Sequence, residues 1–251
     1  MSNKDLTHYL YGIADNALIL GQRLSELCGH GPNLETDIAM TNIALDLLGQ
    51  TRSYFQYIAK LSTDNLTEDD VAFLRKENQY RNVLLVEQPN TDFAYIITRQ
   101  YFFDVYHYLL LEHLQQSTDV NLMAIAKKSI KEVGYHKRFS GDWLVRLGDG
   151  TDVSHDKSQK AVEDLWMYTN ELFEVTETDQ TAIDSGYGVN LNHLKDQYYT
   201  EIKNTLTKAK LSAPMENFFQ RGGKDGIHSE HMGYILADMQ YMQRTYPNMK
   251  W

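Results

Sequence analysis

The scarcity of proline is the feature that most limits what this chain can fold into. Only four prolines occur in 251 residues, at positions 32, 89, 214 and 247. Proline is tolerated in the first turn of a helix or beyond its end, but rarely inside, so the segments between these positions are free to form long helices. Alternating apolar and polar runs, which are typical of strands, are nearly absent. The sequence therefore predicts an all-α protein.

Apolar residues at helical spacing divide the chain into eight predicted helices. Thr67 and Asp70 have the spacing of a capping box, and Asp119 and Ser154 are further candidate N-caps. The stretch 174–191, rich in Thr and Asp, is the least regular. The predicted helices span residues 5–28, 33–61, 68–80, 90–116, 119–147, 155–173, 192–210 and 228–245.

We predict one domain over residues 1–251, because no linker, repeat or low-complexity segment interrupts the chain. Its core would be a four-helix bundle of the first, second, fourth and fifth helices, with peripheral helices around it. The fourth helix should lie deepest, since aromatic residues surround it on every side. These aromatic residues are Tyr101, Phe102, Phe103, Tyr106 and Tyr108.

The composition argues against several classes of function. The formal charge of −10 argues against a general nucleic-acid binder. No run of 18 apolar residues is present, so we expect no membrane span, and we expect no signal peptide, because the first residues lack a basic region followed by an apolar one. The single cysteine, Cys28, excludes an internal disulfide or a cysteine-based zinc cluster and fits a reducing, cytoplasmic location.

Each predicted core helix carries one acid near its middle. Antiparallel packing of the first two helices about a turn near residue 31 places Asp15 opposite the neighbourhood of Asp46. The same reasoning about a turn near residue 118 places Asp104 opposite Glu132. One carboxylate per helix is the pattern of ferritin-like di-iron proteins.

The histidine ligands of such a centre are absent. Di-iron proteins of this kind also need two Glu-x-x-His pairs, and this chain contains none. The matching positions read Asp46-x-x-Gly49 and Glu132-x-x-Tyr135, and three of the four acids are the shorter Asp. His107 follows Asp104 at the right spacing, but on a helix from which the pattern expects only an acid.

We therefore interpret Asp15, Asp46, Asp104, His107, Glu132 and His136 as a vestigial, metal-free cluster, with no catalytic or cofactor-binding residue in the chain. Buried acids without a metal need cations, protons or hydrogen bonds. Two alternatives stay open, namely acids that simply face solvent and a real metal site. The candidate counter-ions are Arg52, Arg99, Lys128, Lys131, His107 and His136.

Short stretches spread along the whole chain match one bacterial protein family. They are 15–26 (DNALILGQRLSE), 28–30 (CGH), 42–50 (NIALDLLGQ), 84–90 (LLVEQPN), 131–132 (KE) with 135–136 (YH), 146–151 (RLGDGT), 222–224 (GGK), 228–231 (HSEH), 237–241 (ADMQY) and Trp251. On these stretches the chain resembles the C-subunit family of the bacterial phenylacetyl-CoA ring-1,2-epoxidase of phenylacetate catabolism. The region 174–200 matches only loosely.

The resemblance implies a ferritin-like fold and a structural role. In that enzyme the related A subunit holds the di-iron centre and binds phenylacetyl-CoA, while the C subunit pairs with A and supports it. The complex uses O₂ and electrons from NADPH through a reductase subunit. The implied partners are the A subunit, the other epoxidase subunits and a possible second copy of this chain, and none of the cofactors is expected on this chain.

Two other functions stay in view as alternatives. A self-sufficient ferritin-like di-metal oxidase would use the four acids and His107. A helical module that binds an acyl-CoA or carrier would need an anion site, and residues 222–228 (GGKDGIH) could bind a CoA phosphate, contact a partner or simply form a loop. His228, Glu230 and His231 are poorly spaced for a metal, since residues two apart do not share a helix face.

The predicted last helix, 228–245, together with the residues that follow it up to Trp251, has the composition of either core packing or an interaction surface. It is rich in soft and aromatic side chains, namely Met232, Met239, Met242 and Met249 with Tyr234, Tyr241 and Tyr246.

Overall fold

The computed structural model describes residues 3–215, 218–247 and 249. Within these residues every regular element is a helix, which confirms the predicted all-α, ferritin-like class. Short 3₁₀ turns lie between several of the helices, at Glu77–Gln79, Leu84–Glu87, Asn170–Phe173 and Gly223–Asp225. The α-helices are α1 (Asn3–Glu26), α2 (Leu34–Leu61), α3 (Glu68–Phe73), α4 (Phe93–Leu114), α5 (Val120–Gly148), α6 (Asp152–Trp166), α7 (Glu177–Asp184), α8 (Asn192–Lys208) and α9 (Glu230–Thr245).

The chain divides into two compact units. The first unit combines Met1–Glu87 with Gly222–Trp251, and the second is Gln88–Arg221. Each unit is built on one long antiparallel helix pair, α1 with α2 and α4 with α5. Such pairs are the building blocks of a ferritin-like bundle. The single domain over residues 1–251 stays a prediction.

The first unit buries α1 along most of its length. Leu10, Ile19 and Leu24 are fully buried. Gly21 allows close approach, because a Cβ atom there would lie 3.3 Å from the side chain of Leu48 on α2. The helix α9 packs on both α1 and α3 and so closes this unit.

The second unit surrounds α4, as the aromatic pattern predicted. The helices α5, α6 and α8 pack against it. Phe102, Phe103 and Tyr106 are buried, and Tyr106 meets Phe173 edge-on with ring centroids 5.8 Å apart. Burial on all sides explains why α4 shows no polar face.

Several predicted helix boundaries hold. Thr67 caps α3 with Asp70 in a complete capping box, and Asp119 caps α5. The helix α5 ends at Gly148, where a Cβ atom would lie 2.4 Å from the carbonyl oxygen of Ala209.

Other boundaries were wrong. The third helix ends at Phe73 rather than at residue 80, and the sixth spans Asp152–Trp166 rather than 155–173. Thr151 is the N-cap of α6, and Ser154, predicted as the cap, is its partner in the capping box. No helix was predicted inside the irregular stretch 174–191, but α7 lies there, and Thr176 opens it with another capping box. Threonine and aspartate favour caps as well as loops, which is why this short helix was overlooked.

Among the described residues, no helix has both the length and the apolar character needed to cross a membrane.

Candidate functional site

The register of both long helix pairs differs from the prediction. Asp104 accepts a hydrogen bond from Ser140, which lies roughly two turns beyond the predicted Glu132 on α5. In the first unit, Gly21 lies beside Leu48, further along α2 than predicted. One cause is that helical side chains tilt towards their own N-terminus, so antiparallel partners meet later in each helix than the turn arithmetic places them.

Asp15 is fully buried and its charge is matched by Arg75, a residue that the sequence analysis did not consider. The Arg75 guanidinium donates to both oxygens of Asp15, from Nη1 to Oδ2 at 2.8 Å and from Nη2 to Oδ1 at 2.5 Å. The Arg81 backbone N–H adds a third hydrogen bond to Oδ2 at 2.9 Å. Asp15 therefore sits in a bidentate ion pair, the strong form of such a contact.

Aromatic rings enclose the Arg75 guanidinium. Its central carbon lies 4.5 Å from the Tyr11 ring centroid and 4.1 Å from that of Tyr80. Burial lowers the pKa of Arg75, but the charge and hydrogen bonds of Asp15 outweigh this effect and the pKa rises overall. From α9, Gln240 donates to the Arg75 carbonyl oxygen at 2.9 Å, so the ion pair is anchored to three helices of the first unit.

Four of the predicted counter-ions lie elsewhere. Arg52 binds Glu68 at the surface, at 2.8 Å. Arg99 donates to the Gln88 carbonyl oxygen and to Asn90. Lys128 and Lys131 are exposed. The prediction failed because Arg75 follows α3, 60 residues from Asp15 in sequence, and only the tertiary fold brings the two together.

Asp46 and Glu132, the other predicted acids of the cluster, are each half-buried rather than enclosed. Each belongs to the middle of its long helix, as predicted. Of the four acids predicted to line the core, the structure thus buries Asp15 and Asp104 completely.

Asp104 lies in a different environment from Asp15. Gln100 donates to Oδ1 and Ser140 donates to Oδ2, each at 2.7 Å. Burial raises the pKa of Asp104 to about 6, while His136, the two hydrogen bonds and the more distant Lys137 oppose the rise. Among these opposing effects the interaction with His136 is the largest.

His107 and His136 lie within electrostatic range of each other, and both are buried. Burial, with a further contribution from His136, lowers the pKa of His107 to about 3, so His107 is neutral at physiological pH. The Phe103 ring lies 5.1 Å from the His107 ring. The predicted cluster therefore has a second-unit part, formed by Asp104 with these two histidines.

Glu87 forms a third buried acidic centre, which the sequence analysis missed. Asn82 donates to its carboxylate at 2.8 Å, and His228 Nδ1 lies 2.6 Å from Oε1. Ser229, the N-cap of α9, donates to Oε2 from both its backbone N–H and its hydroxyl group, at 2.8 and 2.6 Å. Arg23 donates twice to the Glu87 carbonyl oxygen. A glutamate inside the apolar run 84–87 was the available sequence signal, because an acid there needs partners.

The glycine loop at 222–228 serves this Glu87 centre. Gly222 and Gly226 have positive φ angles of 133° and 82°, which favour glycine. A Cβ atom on Gly223 would lie 2.3 Å from the Asn82 carbonyl oxygen, so only glycine fits against that backbone. His228 turns towards Glu87 rather than joining Glu230 and His231 in a metal site. These contacts agree with the interpretation of 222–228 as a loop with glycine turns, and the CoA-phosphate and partner interpretations stay untested.

The last helix has one buried and one exposed side, so core packing is confirmed for part of it, and an interaction surface stays a prediction. Met232, Ile235 and Leu236 face the core, whereas Tyr234 and Tyr241 are exposed. Trp251 lies outside the described residues.

The donor set does not fit a di-iron centre. Both oxygens of Asp15 are occupied by Arg75, and the oxygens of Asp104 by Gln100 and Ser140. Within residues 3–215, 218–247 and 249, no three His, Cys, Asp or Glu side chains are grouped so that they could hold a metal ion. A ferritin-like metal site would need the carboxylates and two further histidines free to converge.

Comparison with known proteins identifies the class to which this helical chain belongs. A family model described as "Phenylacetic acid catabolic protein" matches residues 1–251, and the chain belongs to this family. It is similar to the C subunit of the 1,2-phenylacetyl-CoA epoxidase from Escherichia coli (strain K12), with 48% identity over 246 residues. That alignment covers 98% of this chain and 99% of the relative.

Proposed function

We propose that this chain is a non-catalytic, structural subunit of a phenylacetyl-CoA 1,2-epoxidase and that it pairs with and stabilises the di-iron A subunit. Family membership and the similarity to the C subunit of such an epoxidase support the assignment to phenylacetate catabolism. The observation that carries the structural role is the bidentate Asp15–Arg75 pair. It uses a core carboxylate to hold the fold where a catalytic relative would use one to bind iron.

In this proposal the oxygen chemistry belongs to the partner. The A subunit supplies iron and binds the CoA thioester, and a reductase subunit delivers electrons from NADPH to reduce O₂. The contribution of this chain is structural, since the Asp15–Arg75 pair uses its carboxylate to stabilise the first unit. We place the complex in the cytoplasm, in keeping with the reducing environment expected from the single cysteine.

Co-expression with the epoxidase A subunit tests the pairing. We expect the two chains to elute as one species in size-exclusion chromatography, and we expect epoxidation of phenylacetyl-CoA to fall sharply when this chain is omitted. Elution as two separate species, with full activity of the A subunit alone, would overturn the proposal.

Iron analysis of the purified chain separates the proposal from a self-sufficient di-metal oxidase. We expect far less than one iron atom per chain after dialysis, with stoichiometric iron in the complex. Stoichiometric iron in the isolated chain, or turnover of O₂ without a partner, would favour the oxidase. Calorimetry with phenylacetyl-CoA tests the third function, since an independent acyl-CoA module would release or absorb heat on binding.

A further inference from the structure

The outward face of α2 carries an apolar stripe that the fold of this chain does not use. Leu34, Ile38 and Leu45 are 71%, 51% and 61% exposed. With Asn42 and Gly49 they follow one another at intervals of four, four, three and four residues, which places all five on one side of the helix. Single exposed leucines are ordinary, whereas three large aliphatic side chains in line mark an interaction surface.

Gly49, at the C-terminal end of the stripe, leaves room for another helix to approach. A Cβ atom on Gly49 would meet nothing within 4 Å, so nothing in this chain requires glycine there. Glycine in the interior of a helix costs roughly 1 kcal/mol relative to alanine. If a helix of another protein packed against Ile38 and Leu45, glycine at position 49 would allow the two backbones to approach closely.

Charge indicates what kind of partner fits. Between Arg23 and Arg52 the sequence contains no Lys or Arg. The exposed Glu35 and the half-buried Asp46 border the stripe on one side. Arg52, at the end of the stripe, is paired with Glu68. The face is therefore apolar along its centre and acidic along its edge.

We infer that the α2 stripe, formed by Leu34, Ile38, Asn42, Leu45 and Gly49, docks a helix of a different subunit whose apolar seam is flanked by Lys or Arg. A second copy of this chain would fit poorly, because it would bring the same acids together with Arg52, a cation already paired with Glu68, on a molecule of formal charge −10. Naming the epoxidase A subunit as the owner of that helix rests on the proposed function.

Charge substitutions at Leu45 test the inference. The binding of Leu45→Lys, Leu45→Glu and the native chain to the purified A subunit would be measured by biolayer interferometry. We expect Leu45→Lys to raise the dissociation constant at least tenfold. Leu45→Glu should raise it clearly less, because only the lysine charge repels Lys or Arg side chains on the partner helix. Val153, 67% exposed on α6, provides the controls Val153→Lys and Val153→Glu, which should bind within twofold of the native chain.

Gly49 provides an independent steric probe. Gly49→Trp should fold normally, as checked by melting temperature, since the space around its Cβ position is open. It should nevertheless weaken binding at least tenfold, while Gly49→Ala has a much smaller effect.

The possible outcomes distinguish failure of the α2 stripe as a docking surface from failure of the proposed function. Native binding of the A subunit that Leu45→Lys and Gly49→Trp leave unchanged would overturn the stripe and leave the proposed function standing. If Leu45→Lys and Leu45→Glu weakened binding of the A subunit equally, the inference that Lys or Arg flank the partner's apolar seam would be overturned. Self-association of the native chain that Leu45→Lys abolishes would show a second copy to be the occupant. Failure of the native chain to bind the A subunit would overturn the proposed function together with this inference.

Discussion

The two fully buried aspartates of the long helix pairs have different surroundings. Asp15 is paired with a full positive charge, the Arg75 guanidinium, inside a set of aromatic rings. Asp104 accepts hydrogen bonds from the neutral donors Gln100 and Ser140 and interacts electrostatically with His136, and burial nevertheless raises its pKa to about 6. The same residue type at the same kind of position is thus paired with a guanidinium in one unit and has a raised pKa in the other.

This difference shows that an acid buried in a helix pair can be stabilised in more than one way. A buried carboxylate needs compensation, either by a cation or by protonation and hydrogen bonds. The Arg75 guanidinium provides the cation for Asp15. The surroundings of Asp104 make stability depend on pH, because its raised pKa lets the folded state bind a proton that the unfolded state has released.

Removing Arg75 should have the largest effect. Arg75→Met leaves Asp15 buried without its cation, and we expect a loss of about 3–5 kcal/mol in the free energy of unfolding. Urea denaturation monitored by circular dichroism measures this loss. The double variant Asp15→Leu/Arg75→Met should recover most of the stability, because it removes both charges together.

The exposed pair Arg52–Glu68 is the matched control, since the Arg52 side chain is 68% exposed. Arg52→Gln should cost less than about 0.5 kcal/mol, as solvent screens such pairs. A loss for Arg75→Met no greater than that for Arg52→Gln would show that the Asp15 pair is not the anchor of the first unit.

The substitution Asp104→Asn should remove part of the pH dependence of the unfolding free energy, and this effect should be intermediate in size. In the folded chain Asp104 holds its proton up to a pKa of about 6, compared with 3.8 ordinarily. The folded state therefore binds a proton that the unfolded state has released, and native stability falls as pH rises from about 4 to about 6. The fall should amount to about 2–3 kcal/mol.

The measurement is the difference in unfolding free energy between the native chain and Asp104→Asn at about pH 3.5, 5 and 7, which spans the interval between the unfolded and folded pKa values of Asp104. His107 contributes with the opposite sign, because its lowered pKa makes stability fall as pH drops below about 6.5. That contribution is present in both chains and cancels in the difference. A difference that stays constant with pH would contradict the protonation of Asp104.

Ser140→Ala should have the smallest effect of the three. It removes one donor to the Asp104 carboxylate, at a cost of about 1.5 kcal/mol near pH 7. It should also raise the pKa of Asp104 further, because the Ser140 hydrogen bond favours the charged form. NMR titration of the Asp104 carboxyl carbon checks the direction of that shift, and a downward shift would contradict the role assigned to Ser140.

Much of the local structure was predictable from sequence, because its causes are local. The proline spacing and the apolar periodicity indicated long helices, and capping residues such as Thr67 and Asp119 marked where they begin. The absence of Glu-x-x-His was visible directly. The same local rules failed where caps and loops share residue types, as at Thr151 and Thr176.

The sequence by itself determined the helical class, the position of each acid along its helix and the missing histidine ligands, since all three depend on neighbours within a few residues. The tertiary structure alone decided that Arg75 neutralises Asp15, that Ser140 rather than Glu132 meets Asp104, and that Glu87 binds His228. These contacts join residues between 36 and 141 positions apart. Which side chains then meet depends on helix register and loop path, and a one-turn shift in either changes the partner of every buried charge.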